Sequence, residues 1–252
     1  MRSWILLQLP TLIFSLTFTT IPVGVLAASI NSVDLVYESK TYTPPFYKGR
    51  ALPGSESQIK IVAIPNLILK NGNVGRVENL NFTWKKNSKV LGESSGLGKN
   101  TLLLKTGRLP GDSDIVEVIV SAEDGASAES TTAIQGFSPS PSLYLNDPVL
   151  GIKLEKSVGA NLSLQESEVT IVAYPYFFEV ADRNSPTISY DWFLGGIKAN
   201  SRPNYPSEII LRRGSEGGSI GLSLSISNPS KILEVANIST GIYFVGNSQG
   251  GF

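Results

Sequence analysis

A cluster of carboxylates is the first group in this sequence whose spacing could do chemistry. Asp112, Asp114 and Glu117 lie within one short segment, and hard cations such as Ca²⁺ take several oxygen ligands from a turn. The full calcium-loop signature, with a central glycine and a final bidentate glutamate, is absent. We therefore favour a solvated hairpin and no metal, with these three residues as a weak candidate calcium site.

A second pattern, Gly92-Glu93-Ser94-Ser95-Gly96, matches the Gly-x-Ser-x-Gly elbow of serine hydrolases. The elbow needs a strand before it, a helix after it and a histidine base. The segment falls in a predicted loop, which favours a flexible turn. A Ser–Lys pair with Lys89 or Lys99 stays formally open.

The composition excludes several classes of activity. The 252 residues include no Cys and no His, so Ser-His-Asp triads, Cys nucleophiles, thiolate or imidazole metal sites and disulfides are impossible. We expect no cofactor. Lys+Arg and Asp+Glu balance at 21 each, so strong electrostatic steering to nucleic acid or to anionic lipid is excluded. With 41% hydrophobic and 17% charged residues, the chain can bury cores.

The beginning of the chain has the pattern of a secretory signal peptide. Arg2 is the only charge in residues 1–27, an apolar stretch follows it, and Val25 and Ala27 are suited to a cleavage site. The alternative is an uncleaved membrane anchor, since about 20 apolar residues span a bilayer. We expect export to the periplasm, the cell surface or the medium, with membrane contact only through an uncleaved N-terminal segment.

An internal duplication is the most informative feature of the chain. Four segments recur in the same order, separated by 110, 108, 107 and 106 residues. Chance similarity between apolar runs would not usually keep that register. The pairs are Ile61–Pro65 with Ile171–Pro175, Leu80–Trp84 with Ile188–Trp192, Thr101–Lys105 with Glu208–Arg212, and Val116–Ser121 with Leu222–Ser227.

The repeated segments indicate β-strands, because apolar and polar residues alternate in several of them. We expect their apolar side chains to pack between two sheets. Ile61 or Val62, together with Val118, would stand where antibody domains carry a disulfide. The expected core residues are Trp84, Trp192, Phe82, Tyr190, Val62, Val172, Val118 and Leu224.

Turn residues complete each repeated unit. Asn87-Ser88 in the first copy matches Gly195-Gly196 in the second, and both pairs tolerate the positive φ of a two-residue hairpin. After residue 27 there is no convincing amphipathic helix. Each unit therefore has about seven short strands in about 110 residues, which is typical of an immunoglobulin-like β-sandwich.

The sequence thus predicts an all-β protein with two tandem immunoglobulin-like β-sandwich domains. We expect a signal peptide at 1–27, sandwiches at 28–137 and 138–245, and a disordered tail at 246–252. Residues 28–54 would supply an edge strand and a long first connection. Pro139 and Pro141 favour a semi-rigid link between the domains.

Two groups of aromatic residues are the remaining candidates for binding. Exposed aromatic side chains on loops can bind peptides or the faces of sugars. The favoured interpretation is that they belong to the core or to the joint between domains. The groups are Tyr42, Phe46 and Tyr47, and Tyr174, Tyr176, Phe177 and Phe178.

A family resemblance follows from two motifs. A strand ending in Val62-Ala63-Ile64-Pro65, followed by Trp84-Lys85-Lys86-Asn87-Ser88, resembles tandem bacterial Ig-like or PKD-like repeats in exported, mostly uncharacterised proteins. The resemblance covers most of residues 35–245. It implies a sandwich fold and a surface or secreted location, and it implies no catalytic residues.

These observations favour a non-enzymatic exported protein that acts as a structural, adhesion or assembly module with a protein partner at the cell envelope. The alternative is a carbohydrate-binding or enzyme-accessory module, which predicts coplanar exposed aromatics on one sheet face. A histidine-free hydrolase is a third class, and it predicts a pocket with converging carboxylates or a buried lysine.

Overall fold

Antiparallel strands account for almost all of the regular structure. A computed structural model of the chain describes residues 31–44, 47–107, 109, 111–214 and 218–244. The predicted signal peptide, the predicted disordered tail and Phe46 lie outside these ranges. Within them the helical elements are two short 3-10 turns, Val77–Asn79 and Gly92–Ser94. None of the described residues forms a helix that could cross a membrane.

The first eight strands build one sandwich. The sheet β1-β2-β6 packs against the sheet β4-β3-β7-β8, and β5 pairs with β3. This order matches strands A, B and E against C′, C, F and G of the immunoglobulin fold. The strands are β1 Ser32–Ser39, β2 Gln58–Asn66, β3 Asn81–Lys86, β4 Lys89–Val90, β5 Gly96–Leu97, β6 Thr101–Lys105, β7 Ser113–Ser121 and β8 Ser127–Gln135.

The next nine strands build a second sandwich of the same kind. Its sheets have the orders β10-β9-β12-β15 and β11-β17-β16-β13-β14, and β11 runs parallel to β17. The strands are β9 Ser140–Asp147, β10 Gly151–Ile152, β11 Asn161–Leu164, β12 Glu168–Tyr176, β13 Ser189–Leu194, β14 Ile197–Ala199, β15 Glu208–Arg212, β16 Gly218–Asn228 and β17 Lys231–Phe244.

The duplicated segments fold as equivalent strands, which confirms the all-β immunoglobulin-like prediction. The third pair of segments coincides with β6 and β15, residue for residue. Both predicted hairpin turns have positive φ at each central residue. The φ angles are 48° at Asn87, 67° at Ser88, 58° at Gly195 and 81° at Gly196.

The two tryptophans occupy the same environment in the two copies. Trp84 and Trp192 are at most 1% exposed. The indole N–H of Trp84 donates to the carbonyl oxygen of Lys99 at 2.8 Å, and that of Trp192 donates to the carbonyl of Pro206 at 3.0 Å. Each acceptor lies two residues before the edge strand β6 or β15. The duplication therefore extends to the hydrogen bond that fixes each indole.

Two of the expected core positions differ from the prediction. Val62 is only half-buried, because Ile61 and Ala63 occupy the inner face of β2 and alternation turns Val62 to the outer face. Tyr190 is half-buried and packs against the core, where its hydroxyl donates to the carbonyl of Arg183 at 2.6 Å. The remaining expected core residues are buried: Phe82, Trp84, Val118, Val172, Trp192 and Leu224.

Candidate functional site

Strand β12 of the second sandwich is covered on both faces. Ile171 and Ala173 match Ile61 and Ala63 of the first copy, so they face the tryptophan core. Alternation turns Tyr174 to the opposite face, yet it is only 2% exposed. The matching residue of the first sandwich, Ile64, is 53% exposed. A covering element is therefore present in the second copy and missing in the first.

The cover comes from the segment that follows β1 of the first sandwich. Tyr42 packs with the buried residues of the second sandwich, on the β12 face that carries Tyr174, rather than in the core of its own sandwich. Its backbone N–H donates to the carbonyl of Phe178 at 2.7 Å. Its ring contacts Tyr174 edge-on at 5.9 Å and lies 6.2 Å from Tyr176. The sequence assigns Tyr42 to the first domain, so its packing place is a finding of the structure.

Four tyrosine rings pack together at this place, and we call them the tyrosine cluster: Tyr42, Tyr144, Tyr174 and Tyr176. The ring of Tyr144 meets that of Tyr174 edge-on at 5.2 Å, and the hydroxyls of Tyr144 and Tyr176 lie 3.3 Å apart. Edge-on pairs of this kind add about 0.5–1.5 kcal/mol each to the stabilisation from burial. The cluster therefore fixes the segment after β1 firmly on the second sandwich.

A second contact joins the link between the sandwiches to the end of β12. Phe137 stacks on Phe177 with centroids 5.3 Å apart and planes inclined by 20°. Phe177 is held at φ 65°, which a non-glycine residue adopts only where its surroundings impose it. Gly54 lies against the same residue, and a Cβ there would come within 2.4 Å of the Phe177 carbonyl oxygen. Only glycine allows this close approach.

A polar network makes the third contact. The carboxylate of Glu179 accepts the backbone N–H of Gln58, at the start of β2, at 3.2 Å and also binds Lys231. Lys231 reaches the buried carboxylate of Glu234 at 3.1 Å. Burial by itself lowers the pKa of Lys231, but its bonds to the two glutamates outweigh that effect and hold the pKa above the ordinary value. We use "the joint" for Tyr42, Gly54, Phe137, Phe177 and Glu179.

Arg183 closes the tyrosine cluster on one side. Its guanidinium donates to the hydroxyl of Tyr174 at 3.2 Å and to the carboxylate of Glu208 at 3.3 Å. Glu208 is 2% exposed and also pairs with Arg202 at 2.8 Å. Two cations thus compensate one buried carboxylate, as a buried charge requires.

Burial raises the pKa of three tyrosines of the cluster. It raises the pKa of Tyr42 to about 12, and it also raises the pKa of Tyr174 and of Tyr176. A tyrosine nucleophile or base would need a lowered pKa, which is the opposite of the shift at Tyr42, Tyr174 and Tyr176. The arrangement stabilises contact between the two halves of the chain, and both halves belong to one compact unit.

The structure does not bring the candidate calcium ligands together. Asp114 is buried and pairs with Lys86 at 2.8 Å, whereas Glu117 pairs with Lys85 across the strand. Asp112 accepts the backbone N–H of Leu109 at 3.2 Å. Asp114 and Glu117 lie on opposite faces of β7 because they are three positions apart in the strand. Within the described part of the chain, no group of three acidic side chains could hold a metal ion.

The serine pattern also has a structural place. Gly92–Ser94 is a 3-10 turn followed directly by β5, at the place where the elbow would need a helix. The hydroxyl of Ser95 donates to the carbonyl of Leu91 at 2.8 Å and accepts the N–H of Trp84 at 2.9 Å. Lys99 donates to the carbonyl of Glu93 at 2.6 Å. The turn thereby supports the edge of β3.

The predicted aromatic groups divide between the joint and the surface. Tyr42, Tyr174 and Phe178 are buried, whereas Tyr47 is 53% exposed. Among the residues that the structure describes, the exposed large aromatic side chains are Tyr47, Tyr205 and Tyr243. They lie on three separate elements, the connection after β1, the loop before β15 and strand β17, rather than on one sheet face.

Comparison with known proteins gives similarity only at the level of structure. No protein-family model matches the sequence, and no curated protein matches it. The fibronectin(III)-like modules of CbhA from Clostridium thermocellum are 14% identical, with a TM-score of 0.27 over 83% of this chain and 94% of theirs. The FN1–FN3 domains of chicken CNTN1 are 12% identical, with a TM-score of 0.27 over 78% of this chain and 64% of theirs.

A third similar structure is SGBP-B of the Bacteroides ovatus mixed-linkage glucan utilization locus, in complex with a mixed-linkage heptasaccharide. It is 9% identical, with a TM-score of 0.24 over 83% of this chain and 47% of its own. The fold stated above rests on the strand order and register of the chain itself.

Proposed function

We propose that this protein is an exported, non-enzymatic module in which two immunoglobulin-like sandwiches act as one rigid structural or binding unit at the cell surface. The observation that carries this proposal is the joint. Domains in one chain move relative to each other by default unless their interface is extensive and apolar. Here the buried Tyr42 anchors the first sandwich to the second, where it packs against Tyr174.

Three separate elements of the first half contribute to the joint, which is why a rigid unit is the favoured function. They are the segment after β1, the start of β2 and the link before β9. A rigid pair of sandwiches holds its loops and free edge strands at fixed positions, where a protein partner can dock. Structural, adhesion and assembly modules all need this property.

Export is proposed on the basis of the sequence. Residues 1–27 have the pattern of a signal peptide, and the resemblance to exported bacterial Ig-like or PKD-like repeat proteins agrees with it. The expected location is the periplasm, the cell surface or the medium. The expected partner is a protein of the cell envelope.

Mass spectrometry of the protein from fractionated native cells tests the proposal. We expect a soluble species beginning at Ala28 in the periplasmic or extracellular fraction. A membrane-bound species beginning at Met1 would keep export and replace cleavage with an anchor. A species with an intact N-terminus in the cytosol would overturn the proposal.

A further inference from the structure

Strand β6 is a free edge of the first sandwich. It pairs with β2, and no further strand of the described chain lies on its other side. The N–H of Thr106 donates to the carbonyl of Ser57 at 3.0 Å, and that of Ala63 donates to the carbonyl of Asn100 at 2.8 Å. These bonds fix which residues of the strand turn their backbone groups toward β2.

Alternation turns the backbone N–H and C=O of Thr101, Leu103 and Lys105 away from β2. The side chain of Lys86 donates to the outward carbonyl of Lys105 at 3.1 Å, which agrees with this direction. Within the described chain, the outward backbone groups of Thr101 and Leu103 have no hydrogen-bond partner. An unpaired edge of this kind can accept an added strand.

An apolar side chain and several cations lie along the same edge. Leu103 is 72% exposed, and cross-strand pairing places it in one row with Lys60 and Glu38. A groove of about 330 Å³ lies over this part of the sheet. We call it the lysine groove, and it is lined by Glu38, Lys40, Gln58, Lys60, Leu103 and Lys105, among others.

The positive charge of the lysine groove is only partly compensated. Three lysines face one glutamate there. Neither Lys60 nor Lys105 forms an ion pair with any residue that the structure describes, and Lys40 donates only to the side-chain oxygen of Gln58, at 2.9 Å. A free backbone edge, an exposed leucine and unpaired cations therefore occur together.

We propose that β6 takes up an extended acidic segment of a protein partner as an additional strand. An apolar residue of that segment would lie opposite Leu103, and a carboxylate two positions away would lie opposite Lys105. Directly opposed side chains in neighbouring strands come within about 5 Å, close enough for both contacts. A second carboxylate, two positions to the other side, would lie opposite Thr101, and Lys60 on β2 directly behind Leu103 adds positive charge to the same face. This inference rests on the proposed function and gives the partner its chemistry.

The second sandwich offers a matched control. Its edge strand β15 is equivalent to β6, with Ile210 in the place of the exposed leucine. The charges of β15 are already compensated, because Arg212 pairs with Glu168 at 2.6 Å and Glu208 is held by two arginines. Charge therefore distinguishes the two edges, and the β15 edge is also less free, because Ile210 is 36% exposed and the backbone N–H and carbonyl of Glu208 bond to Tyr205 and Arg202.

Fluorescence anisotropy with labelled peptides and the full-length protein tests the proposal. The probe is a synthetic peptide with Glu-Thr-Val-Thr-Glu at its centre, and the control peptide carries Lys in place of both Glu. We expect saturable binding of the acidic peptide, at least about tenfold tighter than that of the basic one. Replacing the central Val with Pro should abolish binding, because proline interrupts strand pairing.

Variants of the protein test whether the acidic peptide binds at β6. The double variant Lys60→Glu, Lys105→Glu and the variant Leu103→Lys should each weaken binding at least about tenfold. Ile210→Lys, at the matching place on β15, should leave it unchanged. These side chains are exposed, and an unchanged melting temperature verifies that each variant folds. The milder pair Lys60→Gln, Lys105→Gln should give an intermediate loss.

Several outcomes would overturn the proposal. They are equal affinity for the two peptides, no saturable binding of the acidic peptide, or equal losses in Leu103→Lys and Ile210→Lys. Sedimentation that shows a dimer lost in Leu103→Lys would assign the edge to a second copy of the chain instead. None of these results bears on export or on the rigidity of the joint. The binding proposal can therefore fail while the proposed function stands.

Discussion

Replacing Tyr42 by alanine should lower the free energy of unfolding of the second sandwich more than that of the first. The side chain is 6% exposed and contacts Tyr174 and Tyr176 in the second sandwich. Truncation of a buried aromatic residue to alanine typically costs about 3–5 kcal/mol, and we expect that range here. The loss should appear in the second sandwich, although the mutated residue precedes β2 of the first.

Urea titration read by hydrogen-exchange mass spectrometry follows each sandwich separately and leaves Trp84 and Trp192 in place. With a denaturant slope of about 1–3 kcal/mol per molar urea, a loss of this size moves the midpoint by about 2 M. Tyr42→Phe keeps the ring and removes the hydroxyl, so it should cost only about 1 kcal/mol.

Tyr47→Ala is the matched control, because Tyr47 lies in the same connection and is 53% exposed. Its effect should stay within about 0.5 kcal/mol. Equal effects of Tyr42→Ala and Tyr47→Ala would refute the anchoring role of Tyr42. So would a loss confined to the first sandwich.

Two further predictions concern the same region. Gly54→Ala should destabilise the joint by about 1–3 kcal/mol in the same titration, because the new methyl group meets the Phe177 carbonyl, whereas Gly159→Ala, which has open space, should not. In alkaline solution, the raised pKa of Tyr42, about 12 against an ordinary 10.0, means that the folded state keeps a proton the unfolded chain loses. Stability should therefore be full below pH 10 and fall above it by up to about 1.4 kcal/mol per pH unit for each such tyrosine. The melting temperature should fall over the same pH range in which the phenolate absorbance rises. Titration of every tyrosine near pH 10 while the protein stays folded would contradict this.

The strands could be predicted because the duplication gives two independent samples of each pattern. Alternation around Trp84 and Trp192 identified inward faces, and Asn87-Ser88 with Gly195-Gly196 identified matching hairpins. Alternation fails at Ile61-Val62-Ala63-Ile64, where four consecutive apolar residues hide which ones face inward. Only the pairing of β2 with its neighbours settles that choice.

The sequence placed the aromatic residues around Tyr42 and Tyr174 in the core or in a joint between domains, but it could not predict which of them meet. Tyr42 lies far along the chain from Tyr174, and a single long-range contact leaves no periodic pattern. One indication was present: the second copy has Tyr174 where the first has Ile64, a difference that signals a changed environment. The same limit applies to Asp114 and Glu117, whose lysine partners lie on another strand and decide that the two carboxylates stay apart.

The most direct test of the central claim, that the joint makes one rigid unit of two sandwiches, is a distance measurement between them. The chain contains no cysteine, so Lys89→Cys and Lys198→Cys introduce the only thiols for spin labels, one on each sandwich. Pulsed electron paramagnetic resonance should give a single narrow distance distribution that broadens on Tyr42→Ala. A broad distribution in the protein with Tyr42 intact would contradict the claim.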